Sequence, residues 1–451
     1  MSTSKTFRPW DVEQSWLLPP SIHDFVPPGH AAHFVRETVR EGLDLRDILS
    51  AYIELRGYPP YHPAMMVALL LYGYSRGVYS SRQLARACEE RVDFMAVTGL
   101  QRPDFRTIAD FRKRHLKALG RLFEQVLRLC RAAGLVQLGH VALDGTKIKA
   151  NASRHKAMSY GRMKSAEPAL ADAVAGWLDR AETADREEDA AHGERRGDEM
   201  PDWAADKLRR LERIRAAKAA LEAEAAAPAG GEDEDGPGPS SGMQDRGRPK
   251  RAPDGGPPDK AQRNFTDPDS RIQPTRDGFI QGYNAQIAVD AAHQVIVAHR
   301  LQSNPGDVDA LVPLVDAVRR NLGAKPREIS ADAGFCSEAN LGALKARRIR
   351  AYVAVGRAKH ATGVPATERR LSKSPLTRAM AETLARAGRR SRYRLRKQVV
   401  EPVFGQIKQD RGMRQLLLRG LGAVRAEWAL VCTAHNIAKL VAAHNRPRPA
   451  G

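Results

Sequence analysis

The sequence predicts an α/β protein that has a mixed sheet with helices on its faces, a helical N-terminal domain, and an insertion that is helical and partly disordered. Two strand-like runs, 283–290 and 294–301, are joined by the turn DAAH, which is a hairpin pattern. Strand and helix patterns alternate after this hairpin, as they do in sheets covered by helices. Apolar residues at helical spacing between 63 and 134 predict the N-terminal helices.

Residues 1–135 are expected to form the N-terminal helical domain. The apolar run at 64–74 is far too short to cross a membrane and predicts a buried helix. A second helix is predicted to begin at Ser80 or Ser81, which suit an N-cap, and to end at Gly99. Compact helices with basic faces are typical of helix-turn-helix DNA readers and equally of soluble helical bundles. The polar and basic residues expected on the third helix include Thr107, Arg112, Lys113 and Arg114.

Residues 155–263 form the predicted insertion, which leaves the sheet and returns to it. The segment ADKLRRLERIRAAKAALEAEAAA predicts a long helix, or a helical hairpin with the segment before it. Residues 225–262 contain almost no apolar side chains, so they cannot offset the entropy lost on ordering and are predicted to be a disordered linker. The RGRPKR piece of this linker is a candidate for phosphate contact.

The charge of the chain indicates a polyanionic partner, since the formal net charge is +20 and the pI is about 10.0. Double-stranded DNA is favoured over an anionic membrane because no apolar run of spanning length occurs. The N-terminal residues MSTSKTFRPWDVEQSW have no charged-then-apolar signal pattern. We therefore expect a cytoplasmic, nucleoid-associated protein.

The four cysteines are widely separated and form no Cys-x-x-Cys pair, so neither a zinc site nor a disulfide framework is expected. Cys336 lies close to an acidic helix start and is a candidate nucleophile, although a small half-buried residue is the simpler interpretation. The cysteines are Cys88, Cys130, Cys336 and Cys432.

Three acidic residues lie in segments that suit a metal site. Asp144 and Asp332 each follow an apolar, strand-like run, and ligands collect at strand ends in open α/β sheets. Glu401 lies in a basic helical stretch directly before Pro402, which predicts a kink or a new helical turn there. Lys408 lies seven residues further, nearly in register on a helix. Carboxylate oxygens suit Mg²⁺ and can hold two ions for phosphodiester chemistry.

Other acidic residues compete for this role, because an aspartate after a strand is often only a turn former or a helix cap. Asp290 ends a strand but falls in the hairpin turn, and Asp307 is placed to cap the following helix. Between 369 and 425 the chain is dense in arginine, which suits bidentate phosphate contacts, although a generic basic helix surface has the same composition. Trp428 and Phe404 are expected in the core.

Several motifs occur in an order that resembles a known family. They are LDGTKIKANAS, TDPDSRI, GYNAQIAVD, ISADAGF and YRLRKQVVEPVFGQIKQDRG. Together with HPAMMVALLLYGYSRGVYSSRQLARAC and PDFRTIADFRKRH, they resemble bacterial insertion-sequence transposases of the DDE type with an insertion-element H type N-terminal domain. The resemblance spans roughly residues 60–155 and 264–440.

The resemblance implies a ribonuclease H-like core formed by residues 136–154 and 264–440. It implies that Asp144, Asp332 and Glu401 are the catalytic triad and the ligands of two Mg²⁺ or Mn²⁺ ions. Such enzymes cut DNA at the terminal inverted repeats of their element, with water as the first nucleophile, and join the freed 3′-hydroxyl to target DNA. They hold two DNA ends together, so a homodimer or a larger synaptic complex is expected. The alternatives are a nonenzymatic DNA-binding protein derived from a transposase, and a plain nuclease.

The resemblance also matches a Tyr-Arg-Glu-Lys signature to Tyr393, Arg396, Glu401 and Lys408. The common form has three residues between Arg and Glu, whereas four lie between them here and Lys397 takes the strict position. The residues expected to bind DNA are Tyr393, Arg394, Arg396, Lys397, Lys408, Arg411 and Arg414.

Overall fold

The computed structural model describes residues 21–52, 59–192, 202–226, 255–355, 374–387 and 392–446. Its N-terminal part is helical, as the apolar spacing predicts. The helix Pro63–Ser75 is buried along most of its length, with ten of its thirteen residues in the core, which confirms the buried helix predicted from the apolar run at 64–74. The helices are α1 (Ala31–Glu37), α2 (Arg46–Leu49), α3 (Pro63–Ser75), α4 (Ser81–Glu90), α5 (Val92–Thr98), α6 (Phe105–Arg114) and α7 (Leu116–Ala132).

The segment expected to form one helix from Ser80 to Gly99 forms two. Ser80 caps α4 by accepting the Gln83 amide at 3.2 Å, and Gly99 ends α5 in the left-handed conformation, as predicted. The chain is extended at Arg91 between the two helices. Tertiary contacts hold this break, since the carboxylate of Asp93 pairs with the Arg91 guanidinium and accepts the hydroxyl of a tyrosine on α3.

The predicted third helix is also divided, because the chain leaves helical geometry at His115 between α6 and α7. The ring of His115 stacks on Tyr52 and lies 3.1 Å from its hydroxyl. Arg112, one of the basic residues expected on this helix, is buried and donates to Tyr79 O at 3.0 Å and to the Tyr74 hydroxyl at 3.1 Å. Arg112 therefore anchors α6 to the segment around the end of α3, as a residue of a helical bundle does, and is not exposed to DNA.

A mixed sheet forms the centre of the molecule, as the alternating strand and helix patterns predict. Across the sheet the order is β6-β5-β1-β7-β8. The sixth strand, β4, lies on the same side of β5 as β6 and pairs with the first part of β5. β1 runs antiparallel to β5 and parallel to β7, and β8 continues the parallel half. The strands are β1 (His140–Lys149), β2 (Ala157–Ser159), β3 (Gln262–Asn264), β4 (Arg271–Thr275), β5 (Gly278–Asp290), β6 (Ile296–Gln302), β7 (Glu328–Ala331) and β8 (Arg350–Val353).

The insertion is a pair of long helices, α8 (Tyr160–His192) and α9 (Asp202–Ala226). They pack on each other beside the short β2–β3 ladder. This confirms the predicted helical hairpin, and a small separate core around Met163 and Ile214 holds it together. Most of the predicted linker, together with its RGRPKR piece, lies outside the described residues. The predicted disorder over 225–262 is wrong at both ends, because α9 extends to Ala226 and residues 255–262 lead into β3, with Asp259 O accepting the Gly161 amide at 3.1 Å. The remaining helices are α10 (Leu311–Leu322), α11 (Glu338–Ala346), α12 (Pro375–Ala387), α13 (Leu395–Val399), α14 (Glu401–Gly405) and α15 (Leu421–His444).

Helix α15 joins the N-terminal helices to the sheet, because it packs against α3, α7 and β6. The side chain of Asn436 pairs with both backbone groups of Ile296, at 2.9 and 2.8 Å, and so fixes α15 to the start of β6. Trp428 and Phe404 are buried, as predicted. Within the described ranges, every helix is too short or too polar to cross a lipid bilayer.

Candidate active site

Two aspartates lie side by side where β7 ends beside β1. Asp332 directly follows β7, as predicted, whereas Asp144 lies within β1, which continues to Lys149 through its pairing with β5, so the predicted strand-end position is wrong for Asp144. Leu143 of β1 pairs in register with Ala331 of β7. Each of these residues is followed directly by an aspartate, Asp144 and Asp332. Because adjacent strands are about 4.8 Å apart, this register brings two residues that are distant in the chain to neighbouring positions.

Arg396 connects the first of these aspartates to Glu401. Helix α13 packs against β1 and β7 and carries the buried Arg396. The Nη1 atom of Arg396 donates to Asp144 Oδ2 at 2.6 Å, and its Nη2 atom lies 4.0 Å from Glu401 Oε1. Glu401 begins α14 after a junction at Val400, which confirms the new helical turn predicted from Pro402. One guanidinium group therefore reaches two of the three candidate carboxylates.

The additional residue between Arg396 and Glu401 lies in this helix junction. α13 ends at Val399 and α14 starts at Glu401. On a continuous helix an extra residue would rotate Glu401 by about 100° relative to Arg396. Here the helix is interrupted at the junction, so Glu401 need not take the position that a continuous helix would impose. Arg396 contacts Asp144, whereas Lys397 is exposed.

A fourth acidic side chain, Asp307, lies beside Asp332. The expected side-chain cap does not form, because Asp307 Oδ1 accepts hydrogen bonds from Asn284 Nδ2 at 2.7 Å and Gln286 Nε2 at 2.9 Å instead. Asp332 Oδ1 and Asp307 Oδ2 both lie within 3.2 Å of the point where a Cβ atom on Gly334 would stand. The two oxygens are therefore separated by less than twice that distance.

Asp290, the other competing acidic residue, has a structural role. Its buried carboxylate accepts hydrogen bonds from the backbone amides of Gln137 and Leu138, at 3.2 and 2.7 Å, and from the backbone amide of Ala292 at 2.9 Å. It thus closes the turn after β5 and holds the segment that leads into β1.

Burial makes the two adjacent aspartates hard to ionise. It raises the pKa of Asp144 to about 6, although Arg396 acts to lower it. Burial and the neighbouring Asp307 carboxylate raise the pKa of Asp332. Carboxylates in such a position are stabilised as anions when a cation is bound between them.

The donor set suits a hard divalent cation, because the three candidate side chains offer carboxylate oxygens. Arg396 supplies the positive charge between Asp144 and Glu401. No group of three acidic, histidine or cysteine side chains in the described part of the chain converges closely enough to hold an ion without movement. The ligand chemistry therefore fits a hard cation, although the described side chains do not by themselves form a three-ligand site.

Two family profiles match the chain. The family described as Transposase domain (DUF772) matches residues 20–114, and the family described as Transposase DDE domain matches residues 256–437. The chain belongs to the insertion-sequence DDE transposases. Neither a search of curated proteins nor a search of solved structures returned a match for this transposase.

Membership of this family gives the transposase a ribonuclease H-like fold, which agrees with its mixed sheet. The family binds DNA and generally uses divalent metal ions. Asp332 and Glu401 lie within the DDE match, whereas Asp144 lies outside both matched ranges. Asp144 reaches its position beside Asp332 through the register of β1 with β7.

Lys408 is attached to the strand that carries Asp144. Its Nζ atom donates to Thr146 Oγ1 and, at 2.8 Å, to the backbone oxygen of Lys147. The Lys408 ammonium group therefore contacts β1 two to three residues beyond Asp144. This position is consistent with the predicted placement of a cation near the carboxylates.

The other residues expected to bind DNA differ in their accessibility. The Arg396 guanidinium lies 5.9 Å from the ring centre of Tyr393. Arg411 is half-buried, and its Nη1 atom lies 3.3 Å from His435 Nδ1, so it ties its segment to α15. The exposed members of the set are Arg394, Lys397 and Arg414.

The residues around Asp307 were not identified as site residues from the sequence. A signal for them exists, because Asn284 and Gln286 are polar residues two apart that interrupt the apolar part of β5, and they therefore share one face. Asn340 is a further case, since its buried Nδ2 atom donates to Val308 O at 2.7 Å and Phe335 O at 2.8 Å. It therefore joins the loop after β6 to the loop after β7.

Gly145→Ala is expected to destabilise the transposase by about 1–3 kcal/mol, the usual cost of overpacking a closed site. A Cβ atom on Gly145 would lie 2.7 Å from Asp307 Oδ1 and 3.3 Å from Asn284 Oδ1. Denaturant unfolding measures the change. Gly405→Ala is the control, because its Cβ would meet nothing within 4 Å on a helix. Equal stability of the two variants would contradict the close packing of Asp307 over Gly145.

Proposed function

We propose that this transposase cuts DNA at the terminal inverted repeats of its own element and transfers the freed strands into target DNA. Asp144, Asp332 and Glu401 would hold two Mg²⁺ or Mn²⁺ ions. The observation that supports this most directly is the β1–β7 register, which makes Asp144 and Asp332 neighbours at the end of β7. The contact of one Arg396 guanidinium with Asp144 and its approach to Glu401 support the third member.

Two phosphodiester reactions are required. In the first, water adds to phosphorus and the bond to the 3′-oxygen breaks, which leaves a 3′-hydroxyl and a 5′-phosphate. In the second, that 3′-oxygen adds to a target phosphorus and displaces a target 3′-oxygen, so one phosphodiester replaces another. Bound divalent ions supply activation of the attacking oxygen and stabilisation of the leaving oxygen.

The residues of the chain position the DNA and balance charge in this scheme. Asp307 keeps its carboxylate beside Asp332 through the Asn284 and Gln286 amides. The exposed Arg394, Lys397 and Arg414 would contact phosphates outside the reacting group. Two ends must be joined together, so we propose a homodimer or larger assembly as the active form.

The test is to incubate the protein with duplexes from the DNA that flanks its gene, with Mg²⁺ or Mn²⁺ and a target plasmid. Metal-dependent release of a 3′-hydroxyl and its joining to the plasmid are expected. A duplex of the same length and scrambled sequence is the control. Asp332→Asn should remove both products and leave the duplex bound.

Other outcomes would favour other functions. Binding without nicking in either metal would indicate a nonenzymatic DNA-binding protein derived from a transposase. Nicking with no joined product at any target concentration would indicate a plain nuclease.

DNA affinity is expected to depend on pH through Lys408. Burial, aided by Arg414 and Lys147, lowers the pKa of Lys408 to about 8. Only the protonated ammonium makes a charge-assisted hydrogen bond to phosphate, so this interaction weakens as the pH rises through about 8. A charge-assisted hydrogen bond is worth about 1.5 kcal/mol, so its absence should lower affinity about tenfold.

Fluorescence anisotropy with a labelled duplex at pH values on both sides of this pKa measures the effect. Lys408→Arg is the control because arginine stays charged throughout. If wild type and Lys408→Arg lose affinity in parallel, Lys408 does not contact phosphate in the proposed way.

A further inference from the structure

A pocket of about 510 Å³ lies at the end of the sheet where β7 and β8 start, and the candidate carboxylates lie at the other end of β7. Glu328 and Arg350 start β7 and β8 and line it, whereas Asp332 follows the other end of β7. Four residues of strand separate the two ends, which corresponds to about 13 Å. The pocket is therefore distinct from the site of the proposed chemistry. Its lining residues are Gly139, Arg327, Glu328, Arg348, Arg350 and Arg392.

Glu328 organises one side of this pocket. Its side chain is only 8% exposed, and it accepts Arg350 Nη1 and Arg392 Nη1, each at 2.8 Å, on separate carboxylate oxygens. A single buried acid thus orients two exposed guanidinium groups, which retain further N–H donors because each guanidinium has five. A pair held in this way is pre-organised for an anion.

The other side of the pocket carries two arginines with unused donors. The guanidinium groups of Arg327 and Arg348 are exposed and have no hydrogen-bond or ion-pair partner among the described residues. With four arginines and one glutamate, the lining has an excess of three positive charges. Several unpaired guanidinium donors around one concavity match the oxygens of a phosphate group.

We propose that this arginine pocket binds the phosphate backbone of duplex DNA at a point remote from the reacting phosphate. The proposal rests on the proposed function only in that both require DNA as the partner. Duplex DNA is favoured over a small anion because all four guanidinium groups are exposed and open to a bulky ligand, and because the chain carries a net charge of +20.

The pocket is also connected to the candidate active site through the chain. Arg392 begins the short helical turn that leads directly into α13, which carries Arg396. A phosphate held by Arg392 would therefore fix the start of the segment that presents Arg396 and Glu401. DNA bound in the pocket is expected to order the catalytic segment as well as to increase affinity.

The test compares two double variants that each remove two positive charges. Arg327→Gln/Arg348→Gln removes the two unpaired pocket arginines without touching Glu328. Arg319→Gln/Arg320→Gln removes two exposed arginines of α10 that do not line the pocket. Anisotropy with a labelled duplex is measured over a range of KCl concentrations in Ca²⁺ or EDTA, so that catalysis has no influence.

In the pocket variant, log affinity should fall less steeply with log salt concentration. The magnitude of the slope is expected to decrease by about 1 for each phosphate that the pocket no longer binds. The α10 variant should leave the slope near that of wild type. Equal slopes for the two variants would overturn the proposal. It would also fail if DNA binding were unchanged while binding of pyrophosphate or polyglutamate disappeared, which would indicate a small-anion or acidic-protein site.

The result is separable from that of the proposed function. Absence of DNA cleavage by the wild-type protein would overturn the proposed chemistry and leave the slope comparison unaffected. Conversely, equal slopes would overturn the pocket assignment even in a protein that cleaves and joins DNA.

Discussion

Asp144→Asn is expected to lower the rate of DNA cleavage by about 1000-fold or more, equivalent to about 4 kcal/mol of transition-state stabilisation. The amide keeps the shape of the side chain and can still accept from Arg396, which donates to Asp144 at 2.6 Å. It lacks the negative charge that a metal ligand needs at this position beside Asp332. The exposed basic residues remain, so DNA affinity should change by less than about threefold, or about 0.7 kcal/mol.

Single-turnover cleavage of an end-bearing duplex and anisotropy without divalent metal measure the two effects separately. Asp277→Asn is the matched control, because Asp277 is exposed in the turn between β4 and β5. Parallel loss of binding and cleavage in Asp144→Asn would show a damaged fold or surface. Full cleavage would remove Asp144 from the proposed triad.

The same carboxylate gives cleavage a dependence on pH. Burial raises the pKa of Asp144 to about 6, above its ordinary value of 3.8, so the protonated form dominates below about pH 6. A proton and a metal ion compete for this group, and cleavage should therefore fall as the pH falls below about 6. Raising the Mg²⁺ concentration should move the midpoint to lower pH. A midpoint that does not respond to Mg²⁺ would contradict competition at this site.

The strands and helices were largely predictable because their signals are local. The alternation and hairpin that predict β5 and β6 lie within a single stretch of chain, and so does the proline that starts Glu401 on a new helix. Breaks within helices were not predictable in this way. The extended residue Arg91 and the kink at His115 depend on contacts with Tyr72 and Tyr52, which come from other parts of the chain.

The candidate site was predictable in its residue types but not in its arrangement. The apolar runs before Asp144 and Asp332 indicated strand ends, which is correct for Asp332 and wrong for Asp144, since β1 continues to Lys149. Only the register of two distant strands makes these aspartates neighbours. Asp307 had the sequence position of a helix cap, and two amides buried on β5 draw its carboxylate away from that role. Both outcomes depend on long-range packing, for which a single sequence carries no local signal.

Arg396→Gln is expected to destabilise the metal-free protein by about 3 kcal/mol at alkaline pH, the usual cost of breaking a buried ion pair. The side chains of Arg396 and Asp144 are only 11% and 14% exposed, so solvent cannot replace the missing charge. The penalty belongs to an ionised Asp144, whose pKa of about 6 lies above the ordinary value of 3.8. Because Arg396 acts to lower this pKa, its loss raises the pKa further, and the penalty should be largest at alkaline pH and absent below about pH 6, where Asp144 is protonated in both folded proteins.

Mg²⁺ is expected to restore more stability to Arg396→Gln than to the wild type, because the metal and the guanidinium neutralise the same carboxylates. Denaturant unfolding with and without Mg²⁺ measures this difference, and Arg394→Gln, an exposed neighbour, should change stability by less than about 0.5 kcal/mol. In Asp144→Asn the further change Arg396→Gln should cost less than it does in the wild type, since the charge it balances is absent. If Mg²⁺ stabilises both proteins equally, Arg396 does not occupy the position of the cation, and the acidic side chains must bind metal without displacing it.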